Sequence, residues 1–198
     1  MRFDSTVHHR QSVRLPGHDY TLPGVYFITI VTLQRECVFG EVLIGEMHPS
    51  TIGLLALGEW ERLPRRFPCL ELDKFTIMPN HIHGILVVIG NNPYIDVPVG
   101  EQAKTFLPVT SDNPPDPGLP HVVPGSIGAI VRTFKSSVTL RYNRVLSSNG
   151  IDLWQRNYYD RIIRNEEELD RIRSYIQNNP IHWTMDQENP LSVGAVGG

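Results

Sequence analysis

The stretch Phe75-Thr76-Ile77-Met78-Pro79-Asn80-His81-Ile82-His83-Gly84, running on through Ile85-Leu86-Val87-Val88-Ile89, constrains this chain more than any other. It reads as an apolar strand, either one continuous element or two joined through Pro79-Asn80. Successive strand side chains point to opposite faces, so His81 and His83 share one face and Ile82 takes the other. Residues two apart lie about 7 Å from one another along a strand, a gap that two metal-nitrogen bonds of about 2.1 Å and the imidazole rings can close. The apolar run behind them fits a strand buried on both faces, a rigid support for ligands. Two histidines that merely satisfy hydrogen bonds at the mouth of a core strand would look the same. A metal site needs more donors, and the rest of the chain must supply them.

A chain of 198 residues with 40% hydrophobic and 20% charged content is read as one globular domain with a real core. No run approaches the roughly 18 apolar residues of a membrane span, and no apolar signal region follows Met1, so a cytoplasmic location is expected. Cys37 and Cys69 have no paired motif and read as small hydrophobes in a reducing compartment. The net charge of −3 argues against a generic polyanion binder. Between residues 125 and 164, however, Arg132, Lys135, Arg141, Arg144, Arg156, Arg161 and Arg164 stand against Asp152 and Asp160. That local positive excess is suited to phosphates, or to solvated faces of a helix and a strand.

Residues 1–20 form a polar arm with Arg2, His8, His9, Arg10 and Arg14, and residues 21–180 a single catalytic-type domain. Residues 24–33 are β-branched and aromatic and predict a central strand, and residues 39–48 a hairpin. Ser50 or Thr51 caps a helix with an apolar stripe of Leu54, Leu55, Leu57, Trp60 and Leu63, and residues 69–78 form the next strand. Residues 91–124 hold eight prolines and no period, which predicts a flexible insertion. Order returns at Ser126, an N-cap for a helix to about Asn143 with Ile127, Ile130, Val131, Phe134 and Val138 on one side. Residues 153–163 predict a last strand. Asn165 with Glu168 three residues on predicts a capped helix ended by Pro180, and residues 181–198 a loosely held tail.

That last helix carries Tyr175 and Asn179, four apart and hence one turn apart on one face. Tyr175 also borders the apolar stripe, where a half-buried packing tyrosine would serve. A phenol of pKa about 10 is a poor nucleophile unless its target is polarised or its proton is taken. A cation at His81 and His83 would polarise the target.

Taken together, the string Pro79-Asn80-His81-Ile82-His83-Gly84, the helix with Phe134-Lys135-Ser136, the segment Leu153-Trp154-Gln155-Arg156-Asn157-Tyr158-Tyr159 and the pair Tyr175-Ile176 with Asn179-Pro180 resemble the single-tyrosine transposases of the HUH superfamily. Among these they are most similar to the REP-associated tyrosine transposases, from about Thr6 to Pro180 apart from the insertion. The resemblance implies an α+β fold of ferredoxin-like (RRM-like) type, a central antiparallel sheet flanked by helices. It also implies metal-dependent nicking and rejoining of single-stranded DNA at hairpins or palindromic repeats through a covalent 5′-phosphotyrosine. Carried over by position, Tyr175 is the nucleophile and His81 and His83 are metal ligands. Asn179 stands where relatives use a polar third ligand, often Gln. Mg2+ or Mn2+ is the implied cofactor, hairpin-bearing single-stranded DNA the partner and the nucleoid the place of action, with monomer and homodimer both open. Arg132, Lys135, Arg156 and Arg161 are candidates for phosphate contacts, and Trp154, Tyr158 or Tyr159 for stacking a base. Two alternatives are a non-catalytic hairpin-binding protein of the same fold and a water-using phosphodiesterase. The second wants a carboxylate near the histidines, and Asp73 is the nearest in sequence.

Overall fold

Residues 18–90, 123–147 and 152–192 are described in the computed structural model. The cationic leader at residues 1–17 and the proline-rich stretch at residues 91–122 lie outside them. The run Val25-Tyr26-Phe27-Ile28-Thr29-Ile30-Val31 becomes the interior strand β1 (Gly24–Val31), as β-branched and aromatic content predicts. After it come β2 (Gly40–Leu43), β3 (Glu46–Pro49), α1 (Thr51–Glu61), the single turn α2 (Leu63–Arg66), β4 (Leu70–Ile77), β5 (His81–Val88), α3 (Ile127–Val145), β6 (Tyr159–Ile163) and α4 (Glu166–Asn178), with a short 3-10 segment at Pro180–Met185. The main sheet has the order β4-β5-β1-β6 with every pair antiparallel, and β2-β3 is a separate hairpin. With that hairpin set aside, β1-α1-β4-β5-α3-β6 is the split βαβ arrangement of a ferredoxin-like α+β fold. Among the described residues, no helix is long and apolar enough to cross a membrane.

One open alternative is resolved and two sequence-based expectations need correction. Of the two readings of the long apolar stretch, the structure has two elements joined through Pro79-Asn80, as a tight hairpin, because the chain reverses between Ile77 and His81. Pro79 has no N–H to give a ladder, and the Met78 N–H closes the turn on the His81 carbonyl at 2.8 Å. The last strand is regular only over Tyr159–Ile163; upstream, Trp154 meets β1 through an isolated bridge to Thr32. In α1 the stripe is also rotated from the one expected. Ile52, Ala56 and Trp60 are buried while Leu54 is exposed.

Alternation along β5 creates two different layers. Ile82, Leu86 and Val88 join Tyr26, Ile28 and Ile30 in packing against Ile52, Ala56 and Trp60 of α1 and Ile127, Ile130 and Phe134 of α3. Each such side chain contributes on the order of 1.5–3 kcal/mol through burial. Gly84 belongs to this layer because the Trp60 ring lies across it, and a Cβ there would overlap the indole. The opposite face holds a smaller cluster of Ile85, Ile163 and the α4 residues Leu169, Ile172 and Ile176, flanked by Val25, Phe27 and Val87. His81 and His83 share this second face.

The helix ends follow their caps. Ser50 accepts from the Gly53 N–H at 3.1 Å, Ser126 from Ala129 at 3.3 Å and Asn165 from Glu168 at 2.8 Å. Glu168 reaches back to the Arg164 N–H at 3.0 Å, which sets the direction of α4 and hence of Tyr175.

Candidate active site

β5 opens with His81 and His83 almost fully buried, at 0% and 4% exposure. Their outer nitrogens are held from behind. The Asn80 amide donates to the carbonyls of Arg35 at 3.1 Å and Glu188 at 2.6 Å, which fixes its orientation and leaves Oδ1 to accept from His81 Nδ1 at 2.9 Å. His81 therefore carries its proton on Nδ1 and offers a bare Nε2. Thr29, on β1 directly across from His83, meets His83 Nδ1 at 2.8 Å. The two Nε2 atoms then face each other at 3.0 Å. Two nitrogens so close require a proton or a cation between them, and two bonds of about 2.1 Å at a right angle span about 3.0 Å.

Asp186, just past the 3-10 segment, brings a carboxylate to 3.9 Å from His81 Nε2 with its side chain 7% exposed. Donor atoms of His81, His83 and Asp186 all lie within 4.8 Å of one another. Asn179, the C-cap of α4, is 2% exposed and gives its Nδ2 to Asp186 Oδ2 at 3.1 Å. Its Oδ1 is buried with no hydrogen-bond partner. The same amide lies near enough to the His81 imidazole and the Tyr175 phenol to oppose the effect of burial on both, without reaching hydrogen-bond geometry. An orphaned buried oxygen beside three convergent donors fits a hard or borderline divalent cation.

Tyr175 projects from the flank of α4 and is half-exposed, with its hydroxyl 3.2 Å from His83 Nε2 and its ring edge-on to Phe27. Burial, reinforced by Asp186, pushes the phenol up to about 12, so it does not ionise unaided near neutral pH. Burial also pushes His81 down to about 4 against the pull of Asp186, and takes His83 well below its ordinary value, with His81 adding to the effect. Both imidazoles are thus neutral and ligand-ready near pH 7. The hydroxyl opens into a cleft of about 530 Å3 lined by Thr29, Arg35, His83, Tyr159, Tyr175 and Asp186 among others.

Four of the residues singled out in the sequence, His81, His83, Tyr175 and Asn179, therefore meet at one point. Asp186 was missed because it sits six residues beyond the proline that ends α4, in the stretch set apart as a tail. Its only local signal was a carboxylate shortly after Tyr175 and Asn179. That stretch is tied down by Asn80 and by an Arg35–Glu188 ion pair at 2.9 Å. Asp73 is occupied elsewhere, paired with Arg173 of α4.

The proposed DNA-contacting residues fall elsewhere. Trp154 is a correction. It is 8% exposed, packed beside Phe39 and Phe134, and its indole donates to the Lys135 carbonyl at 3.0 Å, so it has no free face for a base. Lys135 has its ammonium on the Gln155 and Arg156 carbonyls, at 2.6 and 3.4 Å, and burial pushes it down to about 8. Arg132 and Arg156 are exposed on the α3 side. Arg161 shares the tyrosine face and pairs with Glu168 at 2.6 Å.

No family model matches the chain. A Haemophilus influenzae protein described as uncharacterized is 38% identical over 186 residues, covering 94% of this chain and 96% of that one. Among solved structures, the chain is similar to a REP-associated tyrosine transposase bound to a REP hairpin, at 14% identity and TM-score 0.48 over 88% of this chain and 77% of that one. It is also similar to a putative transposase from Deinococcus radiodurans, at 18% identity and TM-score 0.40 over 83% of this chain and 97% of that one.

Proposed function

This chain belongs to one family with the Haemophilus influenzae protein, and we propose that it is a tyrosine transposase or strand transferase. In this reading it nicks and rejoins hairpin-bearing single-stranded DNA through a phosphotyrosine. The observation that carries the reading is the Tyr175 hydroxyl, 3.2 Å from His83 in the cleft where His81, His83 and Asp186 converge. The motif resemblance to REP-associated tyrosine transposases points the same way.

His81, His83 and Asp186 would hold a Mg2+ or Mn2+ ion, with Asn179 Oδ1 as a fourth donor. When bound, such an ion draws charge from the scissile phosphate and stabilises charge that develops in the transition state. Asn80 and Thr29 keep the imidazoles aimed and in the right tautomer. Tyr175 forms the new oxygen–phosphorus bond as the bond to the 3′-oxygen breaks. The phenol gives up one proton and the leaving 3′-oxygen gains one, so protons balance. The 5′-phosphotyrosine keeps the energy of the phosphodiester, and a DNA 3′-hydroxyl reverses the step without a nucleotide cofactor. Exposed Arg132, Arg156 and Arg161 are available to DNA phosphates.

Asp186 also favours a second reading, hydrolysis by water, since it places beside the histidines the carboxylate that such chemistry needs. One experiment separates the two. End-labelled single-stranded DNA with a hairpin and its flanks is incubated with Mn2+ or Mg2+ and run on a denaturing gel that keeps covalent adducts, beside Tyr175→Phe, Tyr159→Phe and His83→Ala. A metal-dependent protein-linked strand lost with Tyr175→Phe and His83→Ala but not Tyr159→Phe upholds the tyrosine mechanism. Cutting that survives Tyr175→Phe with no adduct establishes hydrolysis, and hairpin retardation with neither product establishes a binding protein.

A further inference from the structure

On the sheet face away from Tyr175, at the corner where α1, α2 and α3 meet, a buried carboxylate gathers three arginines. The Glu59 side chain is 1% exposed; its Oε1 takes Arg62 at 2.7 Å and Arg141 at 2.6 Å, and its Oε2 is 3.5 Å from Arg66. Arg66 is further fixed by Ser137 of α3 at 2.6 Å. A single guanidinium neutralises a buried carboxylate, and three overcompensate it. Their side chains stay 37–47% exposed, so the guanidiniums are pre-oriented yet open to solvent. Arg65, the neighbour of Arg66, and Arg144, one turn beyond Arg141, add two exposed charges. Against Glu59 and the exposed Glu61, five arginines leave a surplus of three positive charges in a chain whose net charge is −3.

We propose that this corner docks the sugar-phosphate backbone of the duplex stem of a DNA hairpin. Planar guanidiniums match phosphate oxygens in pairs, and arginines held by Glu59 lose little further side-chain freedom on binding. Among the described residues, the nearby aromatics Trp60 and Phe67 are buried in the core and Tyr142 packs partly buried against it, so the corner offers charge and little stacking surface. That suits a duplex, whose bases are already stacked, over an open strand, which binds best where aromatics stack its bases. The choice of DNA rests on the proposed function, and the site is separate from the tyrosine cleft.

Arg141→Ala would leave Glu59 short of a partner and threaten folding, so the test uses the double variant Arg65→Gln/Arg144→Gln, which keeps all three partners of Glu59. Binding of a DNA hairpin and of an unstructured strand of equal length is titrated at several salt concentrations in a Tyr175→Phe background, where no chemistry intervenes. Hairpin affinity should fall about tenfold at low salt, and the slope of log affinity against log salt should drop by about one per lost contact. Binding of the unstructured strand should hold. Unchanged hairpin affinity and slope overturn the proposal, as does equal loss for both DNAs. Covalent adduct formation is read separately with Tyr175 intact. Loss of the salt slope without any adduct upholds this surface while the tyrosine reading falls, and an adduct with an unchanged slope does the reverse.

Discussion

The two faces of β5 are built from alternate residues of one strand and obey different rules. Ile82, Gly84 and Leu86 enter a layer where shape decides, closed by Trp60 on Gly84. His81 and His83 enter a layer where every polar atom needs a partner, and Asn80, Thr29, Tyr175 and Asp186 supply them. One face is expected to respond to changes of volume, the other to changes of charge or donor atoms. The strand separates apolar packing from a polar, donor-rich cluster by its pleat alone.

Breaking the polar face at the proposed nucleophile should give the largest effect. Tyr175→Phe should lower adduct yield on the order of 10³-fold or more, read on the denaturing gel, with the unfolding midpoint held because the ring stays. Adduct formation at the parent level would sink the assignment. Breaking the packing face should do the opposite. Ile82→Ala should cost about 2–5 kcal/mol in denaturant unfolding while surviving folded protein still binds Mn2+.

A third way to separate the faces is acid. His81 is pushed down to about 4 by burial, and an unfolded histidine titrates near 6.5, so the unfolded chain binds more protons between those values. Stability should fall as pH drops from about 6.5 towards 4, by on the order of 3 kcal/mol for His81, with His83 adding to it. A double variant with both histidines replaced by Gln should show a flatter acid limb. Asp186→Asn should weaken Mn2+ binding by roughly 10–100-fold in calorimetry, whereas Asp73→Asn, which loses only its pairing with Arg173, should leave it unchanged.

The smallest effect belongs to the α3 side. Lys135 is pushed down to about 8 by burial, below the roughly 10.4 of an unfolded lysine. The unfolded chain again binds more protons, here between about 8 and 10, so stability should rise gently with pH in that window, and Lys135→Met should remove the rise. A rise that persists in the variant would place its origin elsewhere.

Local rules carried much of this protein. Period-two alternation put His81 and His83 on one face, a spacing of four put Tyr175 beside Asn179, and Ser126 and Asn165 marked the starts of α3 and α4 within a residue. Each depends on neighbours a few positions apart, where backbone geometry acts directly. Other features depended on chain segments far apart in sequence. Asp186 reaches His81 across more than a hundred residues, and Trp154 is buried because Phe39 and Phe134 close over it. Reversal at Pro79 became visible only in the strand pairing, since an apolar run reads alike whether it continues or folds back. Sequence by itself determined the kinds of side chain and which of them share a face along β5 and α4; tertiary structure decided which faces meet, and which side of α1 is buried, because burial and charge pairing are settled only once distant segments share one space.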